Sequence, residues 1–334
     1  LHKEYRRQRQ MCIRDRDEEI TQDEALTLLQ TSDENVLELI NAAYQIRRRH
    51  FGNTVTIQML FNAKSGACIE DCHYCSQSSI STAPIDRYAL VEPKEMLQAA
   101  RRAAESKAQR YCVVISGRSP LDREIEEISK AVRQIKEELP IQVCCSLGLL
   151  TEPQAKSLKA AGVDRINHNL NTSEAYHASI CTTHTFQNRL DTLKNARAAG
   201  LELCSGGIVG MGEKDEDLVD LALSLKELNP DSIPLNMLHP VAGTPLGNAK
   251  HLTPQRCLKI ISMFRFIHPK RELRAAGGRE FNLRSLQPLA LYVADSLFVN
   301  GYLTTPGEPA NEVQKMIEDM GFEVLVNSPA PARF

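Results

Sequence analysis

Short apolar runs typical of β-strands alternate with longer amphipathic stretches typical of α-helices from about residue 55 onward. Parallel strands need such crossover connections, so the alternation predicts a parallel α/β sheet. Eight strands and eight helices are the number for a closed (β/α)8 TIM-type barrel, and a doubly wound open sheet is the alternative. The predicted strands are 56–61, 110–116, 141–147, 165–171, 202–207, 232–238, 272–276 and 296–303, and the predicted helices are 93–107, 121–139, 152–161, 185–199, 214–228, 254–266, 286–294 and 311–320.

The sequence predicts one main domain, because no linker rich in Pro, Gly or Ser divides it. We assign the barrel to residues 51–322 and a helical N-terminal extension to residues 21–50. That extension begins at Thr21, which has the capping-box spacing to Glu24. The first sixteen residues carry six Lys or Arg against two acidic residues and show no clear periodicity. We therefore expect residues 1–20 to be a disordered leader or a segment foreign to the native protein. Residues 323–334 are expected to form a C-terminal tail.

Composition excludes several classes of protein. Lys and Arg number 40 against 42 acidic residues, a net charge of −2 that argues against a nucleic-acid partner. We find no apolar run near the roughly 18 residues that a membrane span needs, nor the apolar core of a secretory signal. We therefore expect a cytoplasmic protein without a membrane partner. The ten cysteines are then expected to be reduced ligands rather than disulfides.

Three of the cysteines, Cys68, Cys72 and Cys75, form a C-x3-C-x2-C motif directly after the first predicted strand. In such barrels the loops at the carboxyl ends of the strands carry the chemistry. Structural zinc sites and most iron–sulfur cubanes need four ligands, yet the next cysteine is Cys112. A cubane held here would keep one iron open to a small molecule. The alternative is a non-catalytic zinc- or iron-binding protein, for which the adjacent His73 is the available fourth ligand.

Four further residues place unusual chemistry in the middle of predicted strands, where a barrel is normally filled with Val, Ile and Leu. These residues are Cys112, Cys144, Cys204 and Arg274. A single cysteine there could be only a small buried hydrophobe. Together they indicate a second metal centre inside the barrel. A guanidinium stays protonated and has no acceptor, so the residue chemistry alone pairs Arg274 with a carboxylate.

The fourth predicted strand carries alternating asparagines. Asn167, Asn169 and Asn171 would share one face of a regular strand, opposite His168 and Leu170. Buried amides are costly without hydrogen-bond partners. The pattern therefore predicts either a polar ligand on this face or a hydrogen-bonded polar layer.

With these residues in hand, the chain resembles the biotin synthases, a family of radical S-adenosylmethionine enzymes, over residues 23–322. The C-x3-C-x2-C motif alone is typical of the whole radical superfamily. Hydrogenase maturases and methylornithine-forming mutases share it, but they are not expected to have the four residues inside the strands. The other matching segments are residues 66–79, 167–173, 204–210, 236–238, 243–246, 277–280 and 303–305.

The resemblance implies an enzyme, a sulfurtransferase that inserts sulfur into dethiobiotin in the last step of biotin biosynthesis. It implies a [4Fe–4S] cluster on Cys68, Cys72 and Cys75, whose free iron binds S-adenosylmethionine. It implies a [2Fe–2S] cluster that donates sulfur, on Cys112, Cys144, Cys204 and Arg274. It also implies a homodimer and an external electron donor of the flavodoxin or ferredoxin kind.

The resemblance further implies contacts around the two clusters. For S-adenosylmethionine these are Tyr74 and Ile208 at the adenine, Asn169 and Asn171 at the ribose, and Arg189 at the carboxylate. For dethiobiotin they are Asn167, Asn236 and the backbone at Thr304 and Thr305, while Arg110, Ser232 and Ser296 lie beside the smaller cluster. Another branch of the family has Asp at position 171 and a Gly-Ala-Ala turn in place of residues 115–118. We expect Cys145, Cys181 and Cys257 to be core or surface residues and His184 to be a loop residue rather than a ligand.

Overall fold

A computed structural model describes residues 19–326. Its centre is a closed barrel of eight parallel members, in which each member pairs with the next along the chain and the eighth pairs with the first. Closure is made by Thr56 opposite Ser296 and Ile57 opposite Leu297, which excludes the open sheet. The strands are β1 Thr54–Lys64, β2 Arg110–Ile115, β3 Gln142–Ser146, β4 Arg165–Asn167, β5 Glu202–Cys204, β6 Gly207–Val209, β7 Ser232–Met237, β8 Glu272–Ala275 and β9 Ser296–Phe298.

Strands β5 and β6 together form one member of the eight-membered barrel, because both pair with β7. The strand stops after Cys204 and resumes at Gly207. Between them, a Cβ on Gly206 would collide with the carbonyl oxygen of Pro234. Glycine is therefore required by the close approach of two backbones.

Helices occupy the predicted positions on the outside of the barrel. They are α1 Gln22–Leu29, α2 Val36–Phe51, α3 Pro93–Glu105, α4 Asp122–Glu138, α5 Glu152–Ala160, α6 Glu174–His177, α7 Phe186–Ala198, α8 Asp215–Leu228, α9 Pro254–Ile267, α10 Arg279–Leu283 and α11 Ala310–Asp319. The expected helix 286–294 differs: Arg284–Tyr292 forms a 3₁₀ helix, with Pro288 inside it. Proline lacks the N–H that an α-helix interior needs.

The N-terminal extension is helical and packs on the barrel's helix α9. Its predicted capping box is confirmed: Thr21 Oγ1 accepts from the Glu24 N–H at 3.2 Å, and the Thr21 N–H donates to the Glu24 carboxylate at 2.8 Å. Arg47 of α2 is fully buried and donates to the carbonyl oxygens of Thr54, at 2.6 Å, and Ala294, at 3.4 Å. These bonds connect α2 to the start of β1 and to the loop before β9.

The apolar core lies between the strands and the helices, and the barrel interior is distinct from it. Cys145 is buried in this core, whereas Cys112 and Cys144 form a separate interior cluster with Val114. Neighbouring Cys144 and Cys145 therefore point to opposite faces of β3, as the alternation of side chains along a strand requires. Burial of each Val, Leu or Ile side chain in the core stabilises the fold by roughly 1.5–3 kcal/mol.

Strand β4 is shorter than predicted, and the expected alternation of its asparagines is wrong beyond Asn167. The strand ends there, and Asn171 has φ of 73°. This left-handed conformation is one that asparagine tolerates better than most residues. Because the alternation is broken, His168 lines the same cavity as the three asparagines.

The ends of the chain lie largely outside the described residues, including the leader through residue 18, Cys12 and residues 327–334. Glu323–Val324 of the predicted tail forms a short strand, β10, that pairs in parallel with Thr54 and Val55. Between residues 19 and 326, no helix is long and apolar enough to cross a membrane.

Candidate active site

A cavity of about 290 Å³ opens at the carboxyl ends of the barrel strands. It is lined by every predicted site residue except those of the proposed smaller cluster. These lining residues are Cys68, Cys72, Tyr74, Cys75, Asn167, Asn169, Asn171, Arg189, Ile208, Asn236, Thr304 and Thr305. The fold therefore brings residues from strands and loops that are far apart in the sequence to one concave site.

The loop after β1 holds its three cysteines on this cavity through tight backbone turns. The Cys75 N–H donates to the Cys72 carbonyl at 3.1 Å, and the Ser78 N–H donates to the Cys75 carbonyl at 3.1 Å. Ser76 and Thr304 share a hydroxyl hydrogen bond of 2.7 Å, which connects the loop to the far side of the cavity. The loop is thus a fixed wall of the site.

The thiols of this loop are protonated unless a metal replaces the protons. Burial raises the pKa of Cys75 to about 11 and also raises the pKa of Cys68. A hydrogen bond with Cys181 raises the pKa of Cys72. Metal binding must therefore release protons here. Three thiols facing one cavity are a suitable donor set for a cubane with one open iron.

Cys181 is a neighbour of the loop that the sequence analysis missed. Its Sγ lies 3.7 Å from Cys72 Sγ, and His184 lies beside it. His184 is a loop residue, as predicted, but it is buried and lines the cavity. No pattern in the sequence joins Cys181 to Cys72, because they are 109 positions apart.

Cys112, Cys144, Cys204 and Arg274 meet inside the barrel. Cys112 and Cys144 are directly opposite each other on β2 and β3. Arg274 Nη1 lies 3.5 Å from Cys204 Sγ. All four side chains are buried. The structure thus brings together three thiols and one guanidinium from four strands, as a ligand set in the barrel requires.

Hydrogen bonds hold the Arg274 guanidinium in a fixed orientation. Its Nε donates to Ser296 Oγ at 3.0 Å and its Nη2 to Ser232 Oγ at 2.9 Å. The Nη2 also pairs with the Glu272 carboxylate. The carboxylate partner expected from residue chemistry is therefore present, and it leaves Nη1 directed at Cys204.

A cluster of buried charges lies beside these ligands. Among the described residues, Glu272 is the only carboxylate of this cluster that contacts three arginines. Glu272 pairs with Arg274, with Arg165 at 3.0 Å and with Arg110 at 3.4 Å. Burial opposes ionisation of Glu272, but the arginines hold its pKa well below the usual range. A hydrogen bond from Cys112 lowers the pKa of Cys144, and the same arginines lower it further. Thiolate character at Cys144 suits an iron ligand.

The cavity and the interior ligands are adjacent layers of the barrel. Val114 and Ser146 line the cavity, and Cys112 and Cys144 come two residues earlier on the same strands. Two residues of strand span about 6.6 Å. The interior ligands therefore lie just beneath the cavity floor.

Three polar atoms of cavity-lining residues have no partner among the residues that the structure describes. They are Asn167 Oδ1, His168 Nε2 and Arg189 Nε, all buried. Arg189 Nη1 donates to the Asn169 carbonyl at 2.8 Å, which fixes the guanidinium. Buried polar atoms without partners are rare and costly, so these atoms are suited to a bound polar ligand.

The other amides of the cavity are anchored but retain capacity. Asn171 Nδ2 donates to Tyr74 Oη at 2.5 Å. Asn236 Nδ2 donates to the Gly207 carbonyl at 3.1 Å, and its Oδ1 accepts from the Gly277 N–H at 3.1 Å. An amide has a second N–H and a second lone pair, so each can still bind a ligand.

Two family descriptions match most of the chain. The radical SAM superfamily matches residues 63–225, and the biotin and thiamin synthesis associated domain matches residues 234–323. The boundary between them falls between residues 225 and 234, from the end of α8 to the start of β7, and therefore inside the barrel.

Two solved structures establish the fold. Methylornithine synthase superposes with a TM-score of 0.83 at 20% identity, covering 95% of this chain and 97% of that one. The FeFe-hydrogenase maturase of Carboxydothermus hydrogenoformans superposes with a TM-score of 0.80 at 18% identity, covering 96% and 79%. At these identities the likeness concerns the barrel alone.

Sequence relatives decide among the radical enzymes that share the fold. The biotin synthase of Rhodopirellula baltica is 52% identical over 305 residues, covering 91% of this chain and 85% of the relative. The biotin synthase of Bacillus subtilis strain 168 is 50% identical over 306 residues, covering 92% and 91%. Identity at this level over nearly the whole chain confirms the resemblance, and the chain belongs to the biotin synthase family of radical S-adenosylmethionine enzymes.

Proposed function

We propose that this chain is a sulfurtransferase that inserts sulfur into dethiobiotin to form biotin. The observation that carries the proposal is a single cavity between two cysteine sets, one on its wall and one beneath its floor. A substrate in this cavity would be in contact with both. The reaction is inferred from membership of the biotin synthase family. The cysteines on the wall and the ligands beneath the floor would then have separate roles.

Each cysteine set has the donors for one cluster. Cys68, Cys72 and Cys75 would hold the [4Fe–4S] cluster, whereas Cys112, Cys144, Cys204 and Arg274 would hold the [2Fe–2S] cluster. When bound, the larger cluster supplies the electron for reductive cleavage of S-adenosylmethionine to a 5′-deoxyadenosyl radical, and the smaller supplies the sulfur. Ser232, Ser296 and Glu272 would keep Arg274 Nη1 directed at the smaller cluster.

The cavity residues would bind and orient S-adenosylmethionine. Arg189 is suited to its carboxylate, because a guanidinium and a carboxylate make a charge-assisted pair and Arg189 Nε has no other partner in the described chain. Asn169 and Asn171 would bind the ribose hydroxyls. Tyr74 and Ile208 would contact the adenine ring from opposite elements.

Dethiobiotin would occupy the part of the cavity above the interior ligands. The unpartnered Asn167 Oδ1 would accept a hydrogen bond from a ureido N–H, and Asn236 would contact the same ring. The backbone near Thr304 and Thr305 would bind the carboxylate tail. The barrel wall around the bound substrate would keep out water and competing hydrogen donors, which a reactive carbon radical requires.

We also propose the setting in which the enzyme works. A net charge of −2 and the absence of a membrane-spanning helix between residues 19 and 326 are consistent with a cytoplasmic enzyme that binds neither nucleic acid nor membrane. Reduction would come from an external flavodoxin- or ferredoxin-like donor, and the family suggests a homodimer. The domain boundaries proposed are 21–50 for the helical extension and 51–322 for the barrel.

The proposal is tested by anaerobic reconstitution with iron and sulfide, followed by incubation with S-adenosylmethionine, a reductant and dethiobiotin. We expect biotin together with 5′-deoxyadenosine, and no biotin when S-adenosylmethionine is omitted. If 5′-deoxyadenosine forms without biotin, the assignment of dethiobiotin as substrate is wrong. If neither product forms in protein with its full iron content, the proposed reaction is wrong altogether.

A further inference from the structure

One cysteine of the loop converges with two metal-binding side chains that the proposed reaction does not use. They are Cys72, Cys181 and His184, whose ligand atoms all lie within 4.8 Å of one another. All three side chains are buried. Cys72 and His184 also line the cavity, which gives a metal ion a route to the site.

The spacing of the two sulfurs matches a tetrahedral metal ion. Two thiolates bound to one zinc ion at about 2.3 Å each lie about 3.8 Å apart. Cys72 Sγ and Cys181 Sγ are 3.7 Å apart. Cys181 Sγ lies 3.3 Å from His184 Nδ1 and 3.8 Å from His184 Nε2. Both distances are close to the separation of about 3.5 Å for sulfur and nitrogen ligands of one zinc ion.

The surroundings of His184 leave the correct ring nitrogen available. Its Nδ1 lies 2.5 Å from the Glu70 carboxylate, to which it donates. The lone pair of Nε2 is then free for a metal, as in the carboxylate–histidine pairs of zinc sites. Arg118 fixes Glu70 through a 3.2 Å ion pair and also donates to the Thr183 carbonyl at 2.7 Å.

Arg118, in the loop after β2, is part of the same network, because it contacts Glu70, the residue that orients His184. The loop after β2 and the His184 loop are therefore connected through Glu70.

We propose that Cys72, Cys181 and His184 form a binding site for a divalent metal ion of the zinc type in the cluster-free protein. Two thiolates and one imidazole supply three of four tetrahedral positions, and water takes the fourth. The ion binds both sulfurs as thiolates, so a thiol that is still protonated loses its proton on binding. The proposal rests on the proposed function only in that Cys72 is shared with the [4Fe–4S] site, so the ion and the cluster exclude each other.

Cobalt(II) tests the site, because its thiolate charge-transfer band and tetrahedral absorption report the ligands directly. The background is the C68S/C75S variant, which removes the other two cysteines of the loop and keeps the proposed site. It is prepared anaerobically, free of iron, and titrated with cobalt(II) alone. C68S/C75S/C181S is the test variant. C68S/C75S/C257S is its matched control, since Cys257 is a buried cysteine in α9.

We expect C68S/C75S and the Cys257 control to bind one more cobalt ion per chain than the Cys181 variant, with a thiolate band that the Cys181 variant lacks. Interior cysteines Cys112, Cys144 and Cys204 are the same in all three proteins, so they cancel in the comparison. Adding His184→Gln to C68S/C75S should weaken cobalt binding at least about tenfold. Equal cobalt content and equal spectra with and without Cys181 would overturn the proposal.

Two controls separate loss of folding, failure of the proposed reaction and failure of the metal site. Circular dichroism and the melting temperature of each cluster-free variant show whether it is folded, and Cys181→Ala in the same background replaces Cys181→Ser if that variant is not. Wild-type protein that makes no biotin overturns the proposed reaction whatever its cobalt content. Unchanged cobalt binding in a folded Cys181 variant overturns the metal site whatever the activity.

Discussion

Cys68, Cys72 and Cys75 belong to one loop, whereas Cys112, Cys144, Cys204 and Arg274 come from four strands of a closed barrel. The loop cysteines line an open cavity and are held by local turns. The interior ligands are buried and held by strand pairing and by a network of charges. The first set depends on local sequence, and the second depends on closure of the whole barrel.

This difference has a chemical counterpart. An iron centre that exchanges small molecules must be reached from the cavity, as the loop cysteines are. A centre that delivers its own sulfur to a radical must be shielded from water, as the interior ligands are. The two sets should therefore fail in different ways when they are altered.

Cys75→Ser is expected to have the largest effect, because it breaks the set on which all later steps depend. We expect both 5′-deoxyadenosine and biotin to fall at least about a hundredfold, since even the loss of an outer partner of a metal ligand costs 10–100-fold. Both products are quantified in one anaerobic reaction. Biotin formed without 5′-deoxyadenosine would contradict the proposal that cleavage of S-adenosylmethionine precedes sulfur insertion.

Cys144→Ser should separate the two sets. Biotin should be abolished, while cleavage of S-adenosylmethionine remains measurable, because the loop cysteines are untouched. Cys145→Ser is the matched control, since the neighbouring thiol faces the outer core and not the interior ligands. Equal loss of both activities in Cys144→Ser would contradict separate roles.

Glu272→Gln should test the buried charges, which support the interior ligands and not the loop cysteines. It leaves three buried arginines without their shared carboxylate, and breaking a buried ion pair in this way costs about 3 kcal/mol or more. We expect that loss in urea unfolding of the cluster-free protein. Glu202→Gln, at a half-buried carboxylate that pairs with Arg165, should cost clearly less. Equal destabilisation by the two changes would show that the Glu272 network has no special weight.

Asn171→Asp should have the smallest effect of the four changes, and this effect should be on binding of S-adenosylmethionine in the cavity. Aspartate also tolerates the left-handed backbone and can accept from Tyr74 Oη and from a ribose hydroxyl. We expect the KM for S-adenosylmethionine to change by less than about tenfold, the range of one neutral hydrogen bond. Asn171→Ala, which loses both properties, should raise it more. Identical KM values for the two variants would remove Asn171 from the ribose site.

The loop cysteines and the interior ligands also differ in how much of their surroundings the sequence could predict. The eight strands were found because their apolar runs are local, and the cysteine loop was found because its ligands are close in sequence. The carboxylate partner of Arg274 was expected from residue chemistry and is confirmed in Glu272. Arg165 and Cys181 were missed, because their contacts exist only after distant elements meet. The end of β4 at Asn167 was also missed, since alternation carries no signal for the left-handed turn at Asn171.

The most direct test of the account is the iron content of two complementary variants. One replaces Cys68, Cys72 and Cys75 with alanine, and the other replaces Cys112, Cys144 and Cys204, each reconstituted anaerobically beside the wild type. We predict about two irons per chain with a [2Fe–2S] absorption spectrum in the first and about four irons with a [4Fe–4S] spectrum in the second. The same iron content and the same spectrum in both folded variants would contradict the claim that the two cysteine sets hold separate clusters.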